Sequence, residues 1–129
     1  MPYQSFEELK VWQEARQLKN DIALLVKSFP PEEKFRLVDQ LIRSSRSVGI
    51  QLVEGHGRRT YPDRIRFCII SRGSLSETLG HLIDAFDAGF INDDQLSRFR
   101  IEIDKVEKLL SGYISWLEKQ TNQDGNKNA

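Results

Sequence analysis

The stretch EEKFRLVDQLIRSSRSVGIQLVEGHG, residues 32–57, decides the fold of this chain. Its apolar and small residues recur at spacings of three and four, which places one stripe along a helix; the stripe consists of Val38, Leu41, Ser45, Val48 and Leu52. Pro30 and Pro31 end the preceding helix because proline cannot continue the hydrogen-bond ladder. Glycines in GHG can adopt the left-handed angles that end this one. The stretch predicts a helix from about Glu32 to Gly55 with one buried face.

A first helix precedes this stretch. Its apolar residues repeat the same spacing from Val11 to Phe29, which is typical of an amphipathic helix. Ser5 and Glu8 form a capping box, so this helix is predicted to begin near Phe6.

Two more helices follow the stretch. Thr60 caps a third helix that ends at Gly89, and Asn92 caps a fourth that ends at about Gln120. Because only short connections join the four helices, they predict an all-α, antiparallel up-down-up-down four-helix bundle. The bundle occupies residues 1–120, and the polar residues 121–129 predict a disordered tail.

Composition limits the classes of partner. The chain of 129 residues carries 19 Lys and Arg and 19 Asp and Glu, so it has no net charge to hold it on nucleic acid or a membrane. Any charged partner must meet a local patch. Cys68 lies in the apolar run RFCIIS and is expected to be a small buried hydrophobe in a reducing compartment. No signal peptide or long apolar segment is evident, so the sequence predicts a cytoplasmic protein without membrane contact.

Residues suited to catalysis or metal binding are sparse. Glu77, His81 and Asp84 share one helix face. The other histidine, His56, lies at a helix end. No second Glu-x-x-His pair is therefore present to complete the kind of di-metal site that some bundles hold. We expect a solvated ion pair on that face. Cys68 has no basic activator beside it, and no serine stands in a catalytic pattern. The sequence therefore predicts a non-enzymatic protein with no catalytic residue, metal or cofactor.

Arginine is concentrated in the middle of the chain. From Arg36 to Arg72 there are eight arginines and three acids, whereas residues 73–104 hold seven acids and two arginines. Guanidinium groups bind phosphate through paired hydrogen bonds and stack on unpaired bases. The predicted nucleic-acid-binding residues are Arg43, Arg46, Arg58, Arg59, Arg64 and Arg66. The alternative is that the arginines neutralise the acidic third and fourth helices, within one protomer or across a subunit interface.

Small residues mark the expected contact between the second and third helices. They are Ser44, Ser45, Ser47 and Gly49 on the second helix and Ser71, Gly73 and Ser74 on the third. Glu54 has two interpretations: a surface pair with a nearby arginine, or a buried carboxylate that orders Arg43, Arg46 or Arg72.

Large apolar residues also lie off the four seams. They are Phe6, Trp12, Phe35, Ile50, Ile69, Phe90 and Trp116. A second apolar face is typical of a protein that assembles with copies of itself. We therefore expect a homo-oligomer.

Three motifs, FEELKVWQEA, FPPEEKFRLVDQLIRSSRSVGIQLVEGHGR and RGSLSETLGHL, occur in this order. Over roughly residues 5–118 the chain resembles the bacterial four-helix bundle family of the 23S ribosomal RNA intervening-sequence proteins. Glu54, Gly55, Gly73 and Ser74 fall on its structural motif. The resemblance implies a homopentameric ring. A related branch, the accessory subunit of diversity-generating retroelements, binds nucleic acid and a reverse transcriptase.

Together these features predict a cytoplasmic, non-enzymatic homo-oligomer, pentameric as the resemblance implies, that binds RNA or DNA through its arginines. The runner-up is a protein-interaction or scaffold module whose second apolar face docks another protein and whose arginines form intersubunit salt bridges. A monomeric enzyme with a metal in its core ranks third.

Overall fold

A computed structural model describes residues 5–128 of the chain, with side chains described for residues 5–123. The four α-helices are α1 (Lys10–Leu25), α2 (Leu37–His56), α3 (Tyr61–Asp87) and α4 (Asp93–Asn128). Short 3-10 turns at Phe6–Glu8, Val26–Ser28 and Pro31–Glu33 flank the first two helices. The described residues contain no strand, and the predicted all-α four-helix bundle is confirmed.

Each helix packs on its neighbours in sequence, and α1 also packs on α4, which closes the bundle. Contacts between α2 and α3 run in opposite order: Ser44 contacts Thr78, whereas Val48, further along α2, contacts Ser71, earlier on α3. These two helices are therefore antiparallel. The predicted seams meet in one apolar core, and its fully buried leucines include Leu18, Leu41, Leu82 and Leu110.

Hydroxyl groups fill the contact between α2 and α3. The hydroxyls of Ser47 and Ser74 are 2.8 Å apart, and the Ser71 hydroxyl donates to a backbone carbonyl of α2 at 2.6 Å. The Thr78 hydroxyl donates to that of Ser44 at 2.9 Å. Buried hydroxyls need such partners because an unpaired one costs free energy. The predicted contact is confirmed for these serines.

The two glycines predicted in that contact lie elsewhere. A Cβ atom at Gly49 would lie 3.6 Å from the indole nitrogen of Trp12 and 3.9 Å from the Cβ of Ala15, both on α1. A Cβ atom at Gly73 would have no neighbouring atom within 4 Å. The prediction was wrong for both. Gly49 lies two positions from Ser47 and therefore points to a different side of α2.

The first helix begins about one turn later than predicted. Leu9 is extended, with φ −71° and ψ 120°, so α1 starts at Lys10. Ser5 accepts a hydrogen bond from the Glu7 amide at 3.2 Å and caps the 3-10 turn instead of forming a box with Glu8. Leu9 is buried in the core, and its packing separates the turn from the helix.

The second helix also begins later than the predicted Glu32. Pro31–Glu33 forms a 3-10 turn, and α2 starts at Leu37. The Glu33 carboxylate accepts the Leu37 amide at 3.3 Å, so it satisfies one of the free amides at the helix start.

The predicted caps of the last two helices are confirmed. The Thr60 hydroxyl accepts the Asp63 amide at 3.3 Å. The side chains and amides of Asn92 and Gln95 bond reciprocally at 2.9 Å, as in a capping box. Gly89 follows α3 with φ 79°, an angle that glycine adopts without strain.

The last helix continues past its predicted end near Gln120, as far as Asn128. No proline interrupts this segment, and the Thr121 hydroxyl donates to the Leu117 carbonyl at 3.0 Å within the helix. The disorder predicted for residues 121–129 stays a prediction, and Ala129 lies outside the described residues.

Candidate nucleic-acid interface

The turn between α2 and α3 begins with a close approach of the two helices. Gly55 is buried in the last turn of α2; a Cβ atom there would lie 2.9 Å from the Cβ of Phe67 and 3.2 Å from the carbonyl oxygen of Arg64. The predicted left-handed glycine in GHG is wrong, because Gly57 has φ −78° and Gly89 alone has positive φ among the described residues. Packing, not backbone angle, requires Gly55.

Arg64 holds this turn closed. Its Nε donates to the Arg58 carbonyl at 2.9 Å, and its guanidinium carbon lies 5.5 Å from the ring centre of Tyr61. The Arg58 amide in turn donates to the Gly55 carbonyl at 3.0 Å. Arg64 is half-buried, so it serves to position the backbone that carries Arg58 and Arg59.

Phe67 adds an aromatic ring to this turn. The guanidinium carbon of Arg58 lies 4.6 Å from its ring centre, and that of Arg66 lies 5.6 Å from it. Guanidinium groups at these distances are attracted by the negative face of the ring. Phe67 was not predicted as part of the site; its only signal in the sequence is its place beside Arg66 in a basic segment.

The ion pairs of the predicted arginines are local. Three of the six pair with an acid three or four residues away on the same helix or at its end: Arg43 with Asp39 (3.6 Å), Arg58 with Glu54 (3.5 Å) and Arg66 with Asp63 (3.0 Å). Exposed pairs of this kind contribute little stability. A phosphate group can therefore displace these carboxylates at a small cost in folding free energy.

Glu54 follows the simpler of its two interpretations. Its side chain is 55% exposed and pairs with Arg58, so it is not a buried carboxylate. Arg72, one of its proposed partners, instead lies 3.4 Å from Glu107 and donates to the Ser111 hydroxyl at 3.2 Å, both on α4.

The structure divides the six predicted arginines into two groups. Four surround the α2–α3 turn and are called here the turn cluster: Arg58, Arg59, Arg64 and Arg66. Arg59 is exposed, and none of the described side chains forms an ion pair with it. Arg43 and Arg46 lie nearer the start of α2. At 1.5 Å per residue, Arg46 is about 18 Å along the helix axis from Arg58. The turn cluster is thus a separate surface.

The predicted neutralisation of the fourth helix by an arginine within the protomer is seen at Arg72, which pairs with Glu107 at 3.4 Å. In the described part of the chain, no ion pair joins residues 36–72 to the acids of residues 73–104. The exposed acids Asp84, Asp87, Asp93 and Asp94 and the turn cluster both remain on open surfaces. Neutralisation across a subunit interface stays a prediction.

The other residues considered for chemistry have ordinary surroundings. The Glu77 carboxylate and the Nε2 atom of His81, which were predicted to pair, lie 3.1 Å apart. Burial raises the pKa of the Cys68 thiol to about 11, so this buried group stays protonated at neutral pH. No cluster of three or more His, Cys, Asp or Glu suited to a metal ion occurs among residues with described positions. Within the same part of the chain, no helix has the length and hydropathy to cross a membrane.

A pair of carboxyl groups joins α1 to α4, away from the turn cluster. Burial and a hydrogen bond with the Asp21 side chain raise the pKa of Glu102 to about 8. Lys105 lies nearby and pairs with Glu14 at 3.3 Å. The raised pKa favours the protonated form of the Glu102 carboxyl at neutral pH.

A protein-family model matches most of this fold. A family model described as 23S rRNA-intervening sequence protein matches residues 7–112, most of the described bundle. The chain belongs to this family. The match spans the second and third motifs quoted above and all of the first except Phe6. It includes the turn cluster and the serine contact of α2 with α3.

A solved structure supports the fold of this family member. It is the crystal structure of a protein of unknown function from the S23 ribosomal protein family of Bacteroides thetaiotaomicron. The TM-score is 0.74 at 24% identity, and the alignment covers 81% of this chain and 97% of the other. A search of curated proteins found no match to this 23S rRNA-intervening sequence protein.

Proposed function

We propose that this protein is a non-enzymatic, homo-oligomeric protein of the bacterial cytoplasm that binds RNA through the turn cluster. The observation that carries the proposal is the cluster itself: four arginines within nine residues, whose carboxylate partners are local and exposed. Arg58 and Arg59 project from a turn that Arg64 fixes, so their positions are set before a ligand arrives. Preorganised groups lose less entropy on binding.

RNA is the favoured nucleic acid because of the side chains beside these arginines. Phe67 and Tyr61 contribute rings within 6 Å of guanidinium groups, and unpaired bases stack on aromatic and guanidinium planes. The family description, which refers to 23S rRNA, makes RNA the first ligand to test. Contacts of this type bind phosphates and give little sequence readout.

Assembly is proposed from the exposed apolar surface and from the family. Seven large apolar side chains among the described residues lie outside the protomer core and are at least 44% exposed: Leu24, Phe35, Ile50, Ile69, Ile70, Ile101 and Trp116. So many exposed large apolar side chains favour an interaction surface. A homopentameric ring, as the family resemblance implies, would have five times the 15.0 kDa mass of the chain.

The proposal is tested by measuring binding to a fluorescent RNA hairpin and to a DNA duplex across a salt series. The double variant Arg58→Glu and Arg59→Glu is compared with a control of equal charge change, Lys27→Glu and Arg100→Glu. We expect the first variant to lose RNA affinity and to lower the slope of log K against log salt by about 1.4 to 1.8 per bound protomer. The control should bind as the natural protein does.

Two results would contradict the proposal. Equal binding by both variants would remove the turn cluster from the interface. Failure of a well-formed oligomer to bind either nucleic acid at low salt would favour the protein-interaction module, with the arginines acting in assembly. Light scattering in the same buffers separates these cases from a failure to assemble.

A further inference from the structure

An apolar groove runs between α1 and α2 and reaches Val53, near the end of α2. It encloses about 310 Å³, at the lower end of the range of about 300–1,000 Å³ for ligand sites. The small residues Ala15 and Gly49 form its floor. A Cβ atom at Gly49 would lie 3.6 Å from the Trp12 indole and would occupy part of this space. Trp12, Ile50 and Val53 form its walls. The groove has room for a large side chain and part of the backbone beside it.

The charged residues of this groove have one sign. Arg16, Lys19 and Arg46 lie along it, and none of its lining residues is acidic. The guanidinium carbon of Arg16 lies 5.7 Å from the ring centre of Trp12. The groove therefore suits an apolar group that is carried on an acidic surface.

The same chain presents an apolar group of this kind. Phe35, in the connection between α1 and α2, is 85% exposed, the highest exposure among the large apolar side chains described. Its turn is held by hydrogen bonds from the Lys34 amide to the Pro31 carbonyl at 3.1 Å and from the Arg36 amide to the Glu33 carbonyl at 3.0 Å. An outward ring on an ordered turn is an anchor that loses little entropy on docking.

The end of the bundle that carries Phe35 is acidic. The α1–α2 and α3–α4 connections lie together, because the rings of Phe29 and Phe90 are 5.5 Å apart. Residues 27–36 hold two acids and three bases, and residues 84–94 hold four acids and no base, so the net negative charge of this end comes from the α3–α4 connection. The Lys34 ammonium lies 5.4 Å from the ring centre of Phe35. This end thus has the charge opposite to that of the groove.

We infer that Phe35 of one copy docks in the α1–α2 groove of a second copy. This inference rests on the proposed homo-oligomer and supplies its contact. The two surfaces differ and lie on different parts of the protomer, so each copy keeps one free anchor and one free groove. Such a contact is heterologous and closes into a ring when the rotation between copies permits.

The inference is tested with one variant on each side of the contact. Phe35→Ser removes the anchor, and Ile50→Asp places a charge in the groove wall; both residues are exposed in the protomer, so the fold should be retained, as circular dichroism can show. Each variant should raise the concentration for half-assembly at least about tenfold, as loss of an interface anchor does. Ser76→Asp, which adds the same charge as Ile50→Asp at an exposed residue of α3 outside both surfaces, should assemble normally.

Mixing the two variants gives the decisive measurement. The Phe35→Ser chain retains a groove and the Ile50→Asp chain retains an anchor, so an equimolar mixture should form a one-to-one dimer by light scattering. Should Ile50→Asp lose helix content, Arg46→Glu at the groove edge replaces it. Normal assembly of Phe35→Ser, or a mixture that forms no dimer, would overturn the docking while leaving the oligomer in place. A natural protein that is monomeric at every concentration would overturn both proposals.

Discussion

Replacing Gly55 by alanine should destabilise the protein, although alanine favours helices more than glycine does. The new Cβ would lie 2.9 Å from the Cβ of Phe67 and 3.2 Å from the carbonyl oxygen of Arg64. Neither atom can rotate away, because one is fixed to the α3 backbone and the other belongs to it. The helices must therefore separate near the turn.

The size of this effect follows from two opposed contributions. Forcing a methyl group into a well-packed contact costs about 1–3 kcal/mol, while the gain in helix propensity is at most about 1 kcal/mol and smaller in the last turn of a helix. We expect a loss of about 1–2 kcal/mol, which lowers the melting temperature by about 3–10 °C for a chain of this size.

The matched control is Gly73→Ala on α3. A Cβ atom at Gly73 would have no neighbour within 4 Å, so only the propensity gain remains, and this variant should be more stable by about 0.5–1 kcal/mol. Gly112, which is equally open on α4, gives a second control. Urea unfolding of all variants at one protein concentration measures the differences. An increase in stability for Gly55→Ala equal to that of Gly73→Ala would refute the close approach.

Three further predictions concern single side chains. In the folded protein the pKa of Glu102 is raised to about 8 from an ordinary value of 4.5, so the stability that its protonation contributes is complete at low pH and is lost as pH rises through 8. The variant Glu102→Gln should therefore become more stable relative to the natural protein as pH rises from 5 to 9. A difference in unfolding midpoint that stays constant over this range would exclude this. Ser71→Ala removes the 2.6 Å bond to the Val48 carbonyl and should cost about 1 kcal/mol in urea unfolding, whereas no loss would mean that the bond has no net value. Cys68, buried and with its pKa raised to about 11, should react with iodoacetamide at pH 8 only as fast as the protein opens, and rapid labelling of folded protein would contradict its burial.

The sequence predicts the bundle well because periodicity and caps are local signals. The seam of α2 and the caps at Thr60 and Asn92 depend on residues a few positions apart, and each lies where the spacing places it. The start of α1 was missed because it depends on the burial of Leu9, a tertiary effect that overrides the capping pattern at Ser5.

The candidate site was predicted only in outline. A count of arginines identifies the segment, but the separation of Arg46 from Arg58 depends on helix geometry rather than on composition. The position of Phe67 beside two guanidinium groups depends on the close approach at Gly55. The pairing of Asp21 with Glu102 joins residues far apart in the chain, and no spacing rule connects them.

The hydroxyl contacts between α2 and α3 also affect how the molecule opens. Hydrogen bonds are directional, so sliding one helix past the other by a turn, about 5.4 Å, would break the bonds of Ser71, Ser74 and Thr78 together. The contact of α1 with α4, by contrast, includes the half-exposed pair of Glu14 with Lys105, which tolerates small shifts. The α2–α3 hairpin should behave as one cooperative unit with the slowest amide hydrogen exchange. The turn cluster lies at the closed end of that hairpin. Fluctuations that detach α1 or α4 therefore leave its arginines in the same positions relative to one another.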